Sequence, residues 1–484
     1  MEKPIIKIKY LNNKIPTYLV NYNKFKKFSV FFFVNVGSSF EDTKIKGISH
    51  FLEHMVFKKT KKFPNAIALA SYLEKYGITF NAYTNKVKTC YFFKSPSTIK
   101  KLEKICLVAK EMLFHMEIKD KDLEIERNII RQEHNSGKDN INDVFYTLME
   151  KHYFNNHPLQ DSVDGDSKTI NNITKDDIIN FYKTYYQPKN IGIGIIGNVP
   201  KSYFKIINSV FGKLPTNYNI FNKSVSVNSV SVSTPIKYSP IIRIPPLKSM
   251  KTKKRKTINL HLGKEKEVTE NKIILKQVKN HTKSFGSVKP YILRNVKIPI
   301  KYYPIDKSHQ SQIAFLFGSK GITHQDSFMV NIMSEIIGGS GRFSNKFFDL
   351  IREKYGLSYH IKTGHIQYLE GGYMYIYVKV NHSDISQAIK VISKALKTYT
   401  KELVNTKELT EFKENIIKRS NTLLEDYDNL EHYYLDDLIY KFKEFNLKTH
   451  LDRIQNLKVK QINKFASQLL KKENYQVIVL TPKK

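Results

Sequence analysis

FSVFFFVNVGSSFEDTKIKGISHFLEHMVF, residues 28–57, decides how the rest of the chain is read. Residues 28–36 are almost wholly apolar and predict a buried strand, and Gly37-Ser38-Ser39 is the turn that ends it. A helix is expected over residues 50–57. On a helix, positions i, i+3 and i+4 share one face, so His50, Glu53 and His54 project into the same space. The surrounding Ile48, Phe51, Leu52, Met55, Val56 and Phe57 put this helix against a core.

Two neutral imidazoles suit a borderline ion such as zinc, and a carboxylate beside the metal can take a proton from a bound water. The order His-x-x-Glu-His is the inverted form of the commoner zinc-protease motif. Chance alone yields roughly 0.02 such pentads in a chain with this much His and Glu. A surface helix with two solvated histidines would leave its apolar neighbours unexplained. A catalytic zinc also needs a third protein ligand and one open position. Residues 124–135, EIERNIIRQEHN, offer Glu126 and Glu133, seven apart and so on one helical face. Taken alone, such charges on an otherwise Ile-rich helix are usually a solvated face.

Further along, the patterns predict a helix over 66–76, paired strands over 78–84 and 88–94, and amphipathic stretches over 99–115 and 119–135. The first unit closes with a helix at 175–185, a strand at 191–196 and a helix near 203–211. Composition then shifts. Residues 215–304 contain Ser/Val alternation, Pro245-Pro246 and the basic cluster KSMKTKKRK at 248–256, and read as a Lys-rich linker or insertion. Order resumes at 311–317 with a strand, a glycine turn at 318–321 and a helix at 325–337. The expected architecture is therefore α+β, with two similarly folded domains of antiparallel or mixed sheet flanked by helices. They span residues 1–214, carrying the zinc helix, and 305–484.

Composition bounds the function classes. With 484 residues, 41% of them apolar and 60 Phe plus Tyr, the chain can build a globular core. Its formal charge of +36 raises nucleic-acid binding, yet only nine of the 80 basic residues are Arg, the side chain suited to specific phosphate and base contacts. The Lys is dispersed and reads as a solvated surface; the cluster at 248–256 reads as a solvated loop, with a nucleic-acid contact as the alternative. Cys90 and Cys106 form no close pair, which excludes a disulfide framework and suits a reducing compartment. The apolar run at residues 30–36 is far short of the roughly 20 residues a membrane span needs. Without signal-peptide regions, and with no Arg before Arg127, cytoplasmic residence is the expectation.

These residues together resemble the pitrilysin/insulinase family of metallopeptidases, which includes the mitochondrial processing peptidase and short bacterial relatives. The resemblance covers residues 5–215 and 305–480, and the block GSSFEDTKIKGISHFLEHMVFKKT looks like the family's zinc helix and its lead-in. It implies that Glu133, second of an E-x(6)-E pair, is the third zinc ligand, and that Glu126 orients or polarises the site. It implies that Asn81 and Ala82 lie on an edge strand to which substrate backbone adds. Arg352 and Tyr359, in REKYGLSY, fill the places of an Arg and a Tyr that reach the scissile region. The segment at 157–165 follows the family pattern only loosely. The resemblance also implies one zinc per chain and half of a clamshell chamber, closed by a homodimer or by a related chain. The activity expected is endopeptidase cleavage of peptides or unfolded protein segments, neutral or acidic ones because the chain is basic. A non-catalytic homologue acting as a partner or scaffold subunit is the other reading.

Overall fold

The computed structural model describes residues 4–218, 300–305, 310–338, 346–369, 371–423, 427 and 447–482. The basic cluster at 248–256 and nearly all of the segment read as a linker lie outside them. The chain enters its first sheet through β1 (Ile5–Tyr10) and β2 (Pro16–Asn21) and reaches the centre in β3 (Lys27–Val34). Then come α1 (Ile48–Met55), α2 (Ala66–Glu74), β4 (Thr79–Thr84), β5 (Thr89–Pro96), α3 (Ile99–Phe114), α4 (Asp120–Asp139) and α5 (Ile141–Tyr153). α6 (Ser167–Asn172), α7 (Lys175–Tyr185), β6 (Ile191–Gly197) and α8 (Tyr203–Phe211) complete this part. The strand order is β1-β2-β6-β3-β5-β4, with β2 and β6 parallel and the other neighbours antiparallel. β3 reads as one apolar run because both its faces are covered. Phe28, Val30, Phe32 and Val34 join Phe51, Leu52 and Met55 of α1 in the main core, while Phe31 and Phe33 pack with Tyr18, Val20, Cys90 and Ile196.

The second sheet is built from β7 (Ile300–Ile305), β8 (Ser311–Lys320), β9 (Ile361–Gln367), β10 (Gly371–Val380) and β11 (Tyr475–Pro482), in the order β7-β11-β8-β10-β9. Strand for strand this repeats β2-β6-β3-β5-β4, including the parallel pair, here β7 with β11. The fold is α+β with two similar sheets, each flanked by helices. α9 (Ser327–Gly338) takes the place of α1. After it come a turn of helix at Lys346–Phe348 that runs into a π-helix at Asp349–Lys354, then α10 (Ile385–Tyr399), α11 (Thr406–Leu423), α12 (Leu447–Gln455) and α13 (Val459–Leu469). The glycine turn expected at 318–321 starts only at Gly321, because β8 continues to Lys320, paired with Gly371 of β10.

The second sheet is covered on one face by an element from the other part of the sequence. Phe145, Met149 and Tyr153 of α5 pack on Leu316, Tyr373 and Tyr377 of the second sheet. The Phe145 and Tyr377 ring centres stand 5.6 Å apart, those of Tyr153 and Tyr373 4.8 Å. In return, the Tyr427 hydroxyl lies 2.9 Å from both Ser29 Oγ and the Ile196 carbonyl oxygen on the first sheet. Burying one such aromatic is worth about 1.5–3 kcal/mol, so α5 belongs energetically to the second sheet although it follows α4 directly.

Candidate metal centre

α1 starts at Ile48, two residues ahead of expectation, because the lead-in caps it. Gly47 takes a left-handed φ of +92°, and the Glu41 carboxylate accepts the N–H groups of Gly47 and Ser49 at 2.6 and 2.8 Å. These are helix N-terminal donors with no carbonyl partner of their own. Burial pushes the Glu41 carboxyl up to about 7, against the pull of those two donors. The helix so fixed presents His50, Glu53 and His54 on one face, as the spacing predicts.

α4 brings the remaining acids. Its inner face carries Leu123, Glu126, Arg127 and Ile130, and the Arg127 guanidinium donates to the carbonyl oxygens of Ile170 and Ile173, locking α4 onto α6. One turn further on, Glu133 reaches the histidine pair. Its Oε2 stands 3.8 Å from His50 Nε2 and 3.6 Å from His54 Nε2, and the two Nε2 atoms are 3.2 Å apart. One ligand atom from each residue lies within 4.8 Å of the others, the one such cluster among the described residues.

This donor set fits a tetrahedral zinc. Two nitrogens ~2.0–2.1 Å from a shared ion stand about 3.3–3.4 Å apart, close to the observed 3.2 Å. Two imidazole lone pairs this close repel unless a proton or a cation sits between them. Glu133 stands a few tenths of an ångström beyond that edge and is half exposed, which leaves that side open.

Behind this cluster, Glu126 is buried, and its Oε2 is 2.9 Å from His54 Nδ1 while Oε1 pairs with the Lys58 ammonium. Burial pulls Glu126 up, but His54 and Lys58 outweigh it and hold the carboxyl below its ordinary value. For His54 burial pulls down, and Glu126, Glu133 and Glu53 reverse the net direction to upward. Burial, then the neighbouring His54, lowers His50 to about 4, against the pull of Asp164. Glu53 is also buried; desolvation raises its carboxyl despite the Thr84 hydroxyl, which donates to Oε2 at 2.5 Å.

Thr84 ends β4, the edge strand carrying Asn81 and Ala82. β4 pairs with β5 on one side and with no described strand on the other. Asn81 is exposed, Ala82 faces the core, and the Ala82 N–H is held by Asn81 Oδ1 at 2.8 Å. Arg352 and Tyr359 stack on one another, guanidinium carbon 4.2 Å from the ring centre, and Tyr359 is 75% exposed. Arg352 also lies over the Phe348 ring, 4.6 Å from its centre, and its Nε is 3.4 Å from Glu353 Oε1. The sequence reading missed Lys58, Thr84, Glu41 and Asp164. The alternation Phe80, Ala82, Thr84 puts Thr84 on the inner face and could have flagged it; no local signal marks Asp164.

The family model for insulinase, peptidase family M16, matches residues 18–167, and that for the peptidase M16 inactive domain matches 172–268 and 268–416. The chain is 23% identical to the uncharacterized zinc protease YmxG of Bacillus subtilis (strain 168), over 93% of this chain and 91% of that protein. It is 30% identical over 166 residues to human cytochrome b-c1 complex subunit 1, mitochondrial, 34% of each chain. In fold it resembles a protease from Helicobacter pylori, with TM-score 0.76, 19% identity, and coverage of 99% of this chain and 100% of that one. It also resembles the periplasmic protease PqqL from Escherichia coli, with TM-score 0.71 and 15% identity, where all of this chain covers 48% of that one.

Proposed function

Because the chain belongs to peptidase family M16, the insulinase family, we propose that it is a zinc-dependent endopeptidase acting on peptides or unfolded protein segments. The observation that carries this reading is the convergence of His50, His54 and Glu133 beside a buried carboxylate, Glu53. These three would hold one zinc per chain, which when bound supplies the Lewis acidity that polarises a scissile carbonyl and lowers the pKa of water from about 16 toward about 7.

The protein groups then have separable tasks. Thr84 occupies Oε2 of Glu53 and leaves Oε1 to accept a proton from the attacking water and pass it to the leaving nitrogen. Burial favours the protonated carboxyl and so helps Glu53 hold that proton between the two transfers. Glu126 fixes the His54 ring through Nδ1, turning Nε2 toward the ligand position. The open side of β4 at Asn81 and Ala82 offers an edge to which an extended substrate adds as a further strand. Arg352 and Tyr359 are assigned to the substrate carbonyl and the developing oxyanion on the family resemblance.

Two such chains, identical or related, would complete a chamber, a reading supported by the match of this chain to about half of PqqL. Residues 1–214 would be the catalytic domain, 305–484 its structural relative and 215–304 an insertion. No described helix is long and apolar enough to cross a membrane. Cys90 and Cys106 are buried and joined in no disulfide, which supports the proposal of a cytoplasmic location.

The test is cleavage of an unstructured peptide with and without a chelator. Glu53→Gln should keep zinc and lose at least ~10²–10⁴-fold in kcat, the usual worth of a general base; undiminished turnover would refute its role. The second reading is a non-catalytic partner subunit. It is favoured by the inactive-domain match and by the likeness to a b-c1 complex subunit. Zinc-loaded wild-type chain that cleaves no peptide would support it.

A further inference from the structure

We propose that Asp164 is the positioning residue for His50: its carboxylate accepts the Nδ1 proton of His50 and so turns Nε2 toward the metal. The inference rests on the zinc reading above. The two ligand imidazoles are served unequally. His54 has Glu126 at hydrogen-bond distance from Nδ1, whereas His50 Nδ1 is buried without a hydrogen-bond partner. An imidazole that ligates through Nε2 carries its proton on Nδ1, and a buried N–H left unpaired is costly. The carboxylate facing it is Asp164, with Oδ1 3.6 Å away, about 0.4 Å beyond a good hydrogen bond.

The backbone shows that this approach is built in. Asp164 lies between α5 and α6, more than a hundred residues after His50, yet its backbone rests directly on the start of α1. Gly47 and Gly165 both take left-handed φ values, +92° and +72°. A Cβ on Gly47 would stand 2.7 Å from the Asp164 carbonyl oxygen, and one on Gly165 2.3 Å from that of Lys46. Only a pair of glycines permits this seat. Two lysines fasten the same loop: Lys46 Nζ is 2.7 Å from Asp161 Oδ1, and Lys86 donates to the Asp161 carbonyl. The Asp164 side chain, at 41% exposure, keeps the freedom to close the remaining gap by rotation. A carboxylate that merely faced solvent would not need its backbone held against the metal helix.

The experiment measures zinc dissociation constants by chelator competition on the full chain, as wild type, Asp164→Ala and Asp164→Asn, with thermal melts of the metal-free proteins. Asp164→Ala should weaken zinc by ~10–100-fold, the usual cost of losing such a partner, while the metal-free melt stays at the wild-type temperature. Asp164→Asn keeps an acceptor oxygen and should lose less; it carries the test if the alanine variant does not fold. Wild-type affinity in Asp164→Ala would overturn the inference and leave the zinc reading standing. A loss that merely tracked a lowered metal-free melting temperature would also overturn it. A wild-type chain that binds no zinc would overturn both.

Discussion

His50 and His54 sit four residues apart on one helix, yet their surroundings push them in opposite directions. Burial and the neighbouring imidazole lower His50 to about 4, so it is neutral at physiological pH. His54, with Glu126 on Nδ1 and Glu133 near Nε2, is raised and keeps a proton to higher pH than an ordinary imidazole. In the metal-free chain that proton can bridge the 3.2 Å between the two Nε2 atoms, and zinc must displace it. Zinc affinity should therefore fall as pH drops through the raised value of His54, with proton release on binding. Titration calorimetry in buffers of different ionisation enthalpy measures this, and binding with no buffer dependence would contradict it. The sign for stability is opposite. A raised folded pKa stabilises the metal-free fold below the ordinary His value of about 6.5, and this contribution is lost as pH rises through the folded value. His50, Glu53 and His54 were readable because one helical turn contains them. Glu133 needed the resemblance, Thr84 was legible only as an inner-face position of an alternating strand, and Lys58 and Asp164 needed the folded chain, because their partners are fixed by packing rather than by spacing.

Among elements, those that carry their own start signals matched the sequence reading best. α7 spans the expected residues because Thr174 and Asp177 form a capping box ahead of an amphipathic run. β1 and β7 were missed: β1 does alternate Ile with Lys but is short and half exposed at a sheet edge, and β7 is mostly exposed and carries Pro304, which argues against a strand. α5 shows the spacing Phe145, Met149, Tyr153 that marks a buried face, but the partner of that face is a sheet more than 150 residues downstream. Replacing Phe145 by Ala should cost ~3–5 kcal/mol, read by denaturant unfolding. The loss should exceed that of an exposed α5 position such as Asp143→Ala. Equal effects at the two sites would contradict the assignment of α5 to the second sheet.

For the whole molecule, the strand order is repeated, α5 covers the second sheet and Tyr427 reaches the first, with the His50, His54 and Glu133 cluster beside the first sheet. α9, which replaces α1 in the repeat, reads SFMVNIMSEIIG and has no His, so only the first sheet's helix carries the metal motif. If the chain is half of a chamber, sedimentation should give twice the mass of one chain, or an active pair with a related chain; an active monomer would contradict that. The most direct test of the central claim is anomalous diffraction at the zinc edge from crystals of the full chain. One peak per chain is expected, ~2.0–2.2 Å from His50 Nε2, His54 Nε2 and a Glu133 carboxylate oxygen. No peak between the two imidazoles, or one bound without Glu133, would contradict it.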